Sequence, residues 1–298
     1  MTKTHTQEKQ APGPILCAVD ASTPSDAALQ VATSLAEALG RPLHLVHVWQ
    51  GAVETFGEGR ARRFLQDAGR DAKAEGTHFE TDVTVNGIAS VADRVDAGLV
   101  VMGTHSRGRF GRLLLGSTAN EILERARWPL LVVRTETVWP PEKIVVGLDN
   151  SEAAAQASDL AASIGSAYEA QVTLVEAVPE LVMTKDRQDP RGRKAAAIVN
   201  RTRSHLAERA QAVTSAGAAS PRTTIRLVKP ERALEDEIKR GDRTLVVIGH
   251  RSSMERRDSE DTSVAESLVR GTHAPILIYP EEAMDRPRHV PTTADEMA

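Results

Sequence analysis

Residues 103–118 carry the side chains best suited to chemistry: Gly103, then Arg107, Arg109 and Arg112, then Gly116, Ser117 and Thr118. Three arginines and two hydroxyl residues in one loop are an anion-binding set. The apolar run at 100–102 reads as a buried parallel strand, with Gly103 permitting a sharp turn at its carboxyl end. Gly116, Ser117 and Thr118 fall where a helix should begin. The first amides of a helix lack internal partners and lie at the positive end of its dipole, so such a terminus accepts a phosphate. The same residues also fit a solvated basic loop followed by an ordinary Ser/Thr N-cap.

Other reactive patterns are weaker. The stretch GRLLLGST at 111–118 has the glycine spacing of a P-loop, but Ser117 stands where the phosphate-binding lysine belongs. No GxGxxG occurs. His44 and His47 are an odd number of residues apart on an expected strand, so they face opposite ways and do not chelate one ion. His105 lies in the anion-binding loop, where contact with a ligand and exposure to solvent are both open to it. RQDPRGR at 187–193 reads as a solvated linker. Cys17, the single cysteine, fits a buried strand position and has no resolving partner for redox work. No Ser-His-Asp or Cys-His set can be assigned, so no catalytic residue, metal ligand or enzymatic activity is expected.

The scaffold around these residues occurs twice. ILCAVD at 15–20 is matched by IVVGLD at 144–149, and LHLVHVW at 43–49 by VTLVEAV at 172–178. LVVMGTHSR at 99–107 is answered by LVVIGHRSS at 245–253, and WPLLVV at 128–133 by APILIY at 274–279. Two copies of one domain explain this better than one long domain. At roughly 130 to 150 residues each, both can bury a core of their own. Each copy reads as strand, helix, strand, helix, strand, strand, helix, strand. The β-branched apolar runs alternate with helical patterns, which argues for parallel sheets covered by helices on both faces. The first helices are expected at 25–39 and 152–167, and the second at 59–74 and 194–215. A third helix in the first copy, at 90–95, should be only a turn or two and cover the sheet poorly.

Composition limits the function classes. The chain has 298 residues, a formal charge of −4 and 41% hydrophobic residues, so it lacks the global basic charge of a general nucleic-acid binder. No apolar run approaches the roughly 18 residues that span a bilayer, and the N-terminus lacks a signal peptide's apolar core. A soluble cytoplasmic protein with no nucleic-acid or membrane partner is expected. Residues 1–12 and 284–298 are polar and aperiodic and are expected to be disordered tails.

These motifs resemble the universal stress protein family in its tandem form. The resemblance rests on MGTHSR, RLLLGST and WPLLVVR, and on the family's loop of Gly, two residues, Gly, nine residues, Gly and then Ser or Thr. Gly103 and Gly116 supply the first and last glycines and Ser117 follows, while Ser106 occupies the place of the second. A Ser at a positive φ costs on the order of 1 kcal/mol and crowds a phosphate, although its hydroxyl offers a replacement hydrogen bond.

The resemblance implies two doubly wound open parallel-sheet α/β domains, adenine-nucleotide alpha-hydrolase-like and Rossmann-like, at 13–135 and 141–281. It also implies an internal pseudo-dimer in which the terminal strands, 130–133 and 276–278, pair with each other. ATP or a related adenine nucleotide, with Mg²⁺, would bind in the first domain. Asp20 would lie near the adenine, Ala18 and Val48 would line its apolar slot, and Met102 would precede the phosphate turn. Gly103, Ser106, Gly116, Ser117 and Thr118 would surround the phosphates. Asp20 has its own rationale, since a carboxylate after the first strand can accept a hydrogen bond from a base or ribose at a topological switch point. It also fits a cap of the following helix, in competition with Ser22 and Ser25.

In the second copy, counting from Gly249, Ser252 and Thr262 replace the later glycines and Ser263 follows. Glu255, Asp258, Glu260 and Asp261 have entered the loop and would repel a phosphate unless a cation intervened, so this domain reads as a structural copy. The implied role is regulatory, through an unidentified protein partner and with homodimer formation open. The alternatives are a stress-response scaffold that binds no nucleotide, and a slow ATP hydrolase.

Overall fold

The computed structural model describes residues 13–51, 56–104, 121–122, 125–178, 193–238, 243–250 and 264–283. In the first half these form β1 (Ile15–Ala18), α1 (Thr23–Leu39), β2 (Leu43–Trp49), α2 (Phe56–Asp71), β3 (Gly76–Thr81), α3 (Thr84–Arg94), β4 (Leu99–Thr104) and β5 (Leu130–Arg134). The second half repeats the order with β6 (Lys143–Leu148), α4 (Glu152–Tyr168), β7 (Gln171–Ala177), α5 (Arg193–Ser215), β8 (Arg222–Arg226), α6 (Pro230–Ile238), β9 (Thr244–His250), α7 (Val264–Gly271) and β10 (Ile276–Pro280). The two expected tails and the polar insertion before α5 fall largely outside the described residues.

Among the described residues, ten strands form one sheet in the order β3-β2-β1-β4-β5-β10-β9-β6-β7-β8. Every pairing is parallel except the central one, where β5 and β10 run antiparallel with Leu131 opposite Leu277. The terminal strands therefore pair as expected, and each half covers the other's apolar edge. Both faces of the sheet are buried, which is why the inner strands are nearly continuous apolar runs. Ile15, Cys17, Leu131 and Val133 pack toward one face with α1, α2, α4 and α5. Leu16, Val100, Leu130 and Val132 pack toward the other with α3, α6 and α7. Cys17 is fully buried, and burial pushes its thiol pKa far up. It is a packing residue.

Beyond the sheet, the halves meet through polar contacts. Tyr168 Oη lies 2.8 Å from Ser34 Oγ and accepts a hydrogen bond from Trp139 Nε1 at 3.3 Å. The guanidinium of Arg134, at the end of β5, is buried and donates to the carbonyl of Val269 in the last turn of α7. A cation is well placed at the negative end of a helix dipole.

The third helix corrects the expectation. Instead of a turn or two at 90–95, α3 has 11 residues and starts at Thr84, with Val85, Ile88, Val91 and Ala92 buried against the sheet. Gly87 obscures this helix in the sequence, because glycine weakens a helix interior. Its role is spatial: a Cβ there would come within 2.8 Å of the Val48 side chain, so the missing side chain brings α3 close to β2.

Candidate functional site

β1 and β4 are neighbours, and the chain leaves them in opposite directions along the sheet, with β2 and β3 on one side and β5 on the other. Their carboxyl ends thus form a topological switch point, where open α/β sheets hold ligands. Register places Ala18 beside Met102 across one strand boundary and beside Val46 across the other. Ala18, Val48 and Met102 all pack with the cluster on the α3 face, Met102 buried and the other two half-buried. Three of the expected apolar residues are therefore on one face at the strand ends, with α3 as a wall. Gly87, which sets the distance of that wall from Val48, is a residue that motif spacing does not reveal.

Asp20 follows β1 and is exposed. Its Oδ1 accepts a hydrogen bond from Ser22 N at 3.0 Å and a second from the Ser22 hydroxyl, while its own backbone N–H donates to Ser25 Oγ at 2.8 Å. Asp20 thus closes an Asx turn ahead of α1. Ser22 is the N-cap residue by backbone position, but its side chain caps no amide. Ser25, the third cap candidate, turns its hydroxyl back to Asp20 N and caps no helix amide either.

Gly103 also differs from its expected local role. It lies within β4, not at a turn, and is outside the left-handed region. A Cβ on Gly103 would stand 2.2 Å from Pro24 O and 2.9 Å from Ser25 N, so the first turn of α1 requires glycine there. Ser106, Gly116, Ser117 and Thr118, together with His105 and the three loop arginines, lie outside the described residues. Helical structure is described again at Glu121, Ile122 and Arg125, with Ile122 buried on the α3 face.

The second half preserves much of this arrangement. Asp149 Oδ1 accepts from Ser151 N at 2.9 Å and from the Ser151 hydroxyl. Here the serine completes a true cap, since Ser151 Oγ accepts from Ala154 N at 3.1 Å. Gly249 repeats the close approach, because a Cβ there would stand only 2.5 Å from Ala154 N. A cavity of about 250 Å³ opens at the strand ends, lined by Gly147, Asp149, Val175, Ala177, Leu234 and Ile248 among others. Ser252, Thr262, Ser263 and the loop carboxylates lie outside the described residues. Among the described residues, no group of three or more His, Cys, Asp or Glu side chains is placed to hold a metal ion.

His44 and His47 take different partners. His47 Nδ1 donates to Val19 O at 2.7 Å, and its ring packs near Phe64 and Phe79. His44 meets His78 on β3. That pair is invisible in the sequence because strand register alone brings the two residues together.

The topology defines a tandem α/β protein built of two doubly wound halves. The description of the universal stress protein family matches it twice, at residues 13–134 and 141–280, and the chain belongs to that family. A universal stress protein of Mycolicibacterium smegmatis is 29% identical over 161 residues, covering 47% of this chain and 55% of the relative. One from Mycobacterium tuberculosis is 32% identical over 134 residues, covering 41% of this chain and 45% of the relative. The chain thus spans about half the length of the curated relatives it matches. The crystal structure of a universal stress protein from Archaeoglobus fulgidus superposes with a TM-score of 0.70 over 91% of this chain and 99% of its own, at 15% identity, a likeness of fold. Among the described residues no helix is long and apolar enough to cross a membrane.

Proposed function

We propose that the first half binds ATP or a related adenine nucleotide and that the protein acts as a cytoplasmic stress-response regulator, not as an enzyme. The observation that carries this reading is the meeting of Ala18, Val48 and Met102 on one face of the switch point, beside the Asp20 turn. A planar base would suit an apolar face of this kind, and the Asp20 carboxylate can accept from a base amino group or a ribose hydroxyl. Ser106, Gly116, Ser117 and Thr118 would supply the phosphate contacts, with the loop arginines adding positive charge and Mg²⁺ accompanying the triphosphate. Nucleotide binding would order this loop and alter a surface read by a protein partner, which requires the two loop states to differ in nucleotide affinity. Homodimer formation is compatible with this role.

A non-binding scaffold is the second reading, and one observation favours it. Gly103 is accounted for by the packing of α1, so this glycine is no sign of a ligand. Calorimetric titration of the nucleotide-stripped protein with ATP separates the two. One site per chain, abolished by Gly116→Val, supports the nucleotide reading, because a β-branched side chain would block the phosphate from the amides that follow. No heat of binding in the parent, together with binding by Ser106→Gly, would establish the scaffold reading for the present chain.

A further inference from the structure

We propose that His44 and His78 form a proton-sensitive clasp, which holds the edge strand β3 to β2 while at least one ring is neutral and loosens it when both are protonated. His44 Nδ1 and His78 Nε2 are 3.0 Å apart, the ring centroids are 5.3 Å apart, and the ring planes differ by only 15°. With those values the two nitrogens point almost straight at each other along the line of centres. That is the geometry of an N–H···N hydrogen bond, which needs one bare nitrogen. It is not a chelating geometry, because a metal bound by both rings at about 2.0–2.1 Å needs lone pairs that converge on a third point.

The surroundings make room for the pair. Gly76 lies beneath the contact, and a Cβ there would be 2.6 Å from His44 Nδ1 and 3.3 Å from His78 Nε2. β3 pairs with β2 alone and is partly exposed along its length, held otherwise by Phe79 packing under Arg62 of α2 and by the Glu80–Arg94 pair to α3. Glu75 lies beside His44, while Glu80 and Arg94 lie beside His78 and form an ion pair with each other across β3 and α3. One proton on the pair is accommodated by a charge-assisted hydrogen bond and the nearby Glu75. A second proton sets two N–H groups and two like charges face to face.

Burial is the main influence holding both imidazoles below their ordinary pKa. His44 and Arg94 lower His78 further, whereas Glu75 and Glu80 act in the opposite direction on His44 and His78 respectively. As pH falls below the ordinary value of 6.5, the unfolded chain takes up protons that the folded pair refuses, so folding stability decreases toward acid. In the second half the same register places Thr173 and Thr224 at these positions, and neither titrates. β8 is therefore the comparison strand for β3, with the His205–Glu176 contact on neighbouring β7 followed alongside it.

The test is a histidine-resolved NMR titration of the full chain from pH 8 to 5, with amide exchange followed in β3 and β8. His44 and His78 should take up protons in two steps, the second well below 6.5. After correction for the intrinsic pH dependence, exchange of β3 amides should rise relative to β8 as the pair takes up its second proton. His44→Gln should raise the midpoint of His78 and flatten the β3 response, and His78→Gln should do the converse if the first variant does not fold. Titration of both rings in one step at the ordinary value would overturn the proposal. So would equal responses of β3 and β8, or an unchanged midpoint in the single variants.

Discussion

The two halves share a frame and differ in how they tie down their outer strands. In the first half the link between β3 and α3 is the Arg94–Glu80 pair, whose side chains are 54% and 24% exposed. In the second half β8 is tied by Arg226 to Glu237 on α6, and Lys143 on β6 reaches the same carboxylate at 3.0 Å. Glu237 is buried, so this carboxylate has two cations as compensation for its lost hydration. The first half has a solvated ion pair and a titratable imidazole pair where the second has a buried ionic triad. The comparison teaches that one topology tolerates a responsive edge and a static edge at once. It also places the responsive edge in the half with the glycine-bearing loop.

The sharpest way to break this contrast is at Glu237. Glu237→Ala should destabilise the protein by about 3–5 kcal/mol in urea denaturation, because Lys143 and Arg226 would lose their common buried partner. A loss below about 1 kcal/mol would show that the triad is no stronger than a surface pair.

Next in size is the paired substitution of the strand glycines. Gly103→Ala and Gly249→Ala should each cost about 1–3 kcal/mol by forcing the first turn of α1 or α4 away from the sheet. Comparable losses in thermal unfolding are expected, since Pro24 O and Ala154 N crowd the two sites alike. Full stability of Gly103→Ala combined with loss of ATP binding would instead make that glycine a ligand contact.

The halves should differ when ATP is titrated. One equivalent per chain is expected, with Thr262→Gly in the second half adding no second site while the acidic residues around it remain. Two equivalent sites in the parent would dissolve the asymmetry. The smallest effect belongs to Arg94→Ala, expected to cost about 0.2–1 kcal/mol and to weaken further in high salt, as an exposed pair should. A double-mutant cycle with Glu80→Gln measures it.

Much of the site's scaffold is legible in the sequence. Ala18, Val48 and Met102 belong to apolar strands whose parallel character follows from alternating strand and helix patterns, and the scaffold occurs twice in the chain, whereas the order of the strands is seen only in the structure. The Asp20 and Asp149 turns are also marked by their Asp-x-Ser sequences, although the direction of the serine hydroxyl is not. In one half Ser22 caps no amide, and in the other Ser151 accepts from Ala154 N. The two turns share Asp-x-Ser but differ in the first helical turn, where Pro24 brings no N–H and Ser25 turns its hydroxyl back to Asp20 N, while Ala153 and Ala154 follow Ser151 in the other half.

The internal repeat determined the two-copy organisation and local periodicity the parallel strands, because hydrophobic burial acts on patterns only a few residues long, whereas the pairing of the terminal edges was implied by the family resemblance alone. The length of α3 escaped that logic, since Gly87 reads as a helix breaker until Val48 is seen against it. Tertiary structure alone decided why Gly103 is glycine, which carboxylate serves both Lys143 and Arg226, and that His44 faces His78. Each of those facts depends on strand register or helix docking, and both are set by the summed packing of distant segments. A residue's own neighbours in sequence carry no record of that sum.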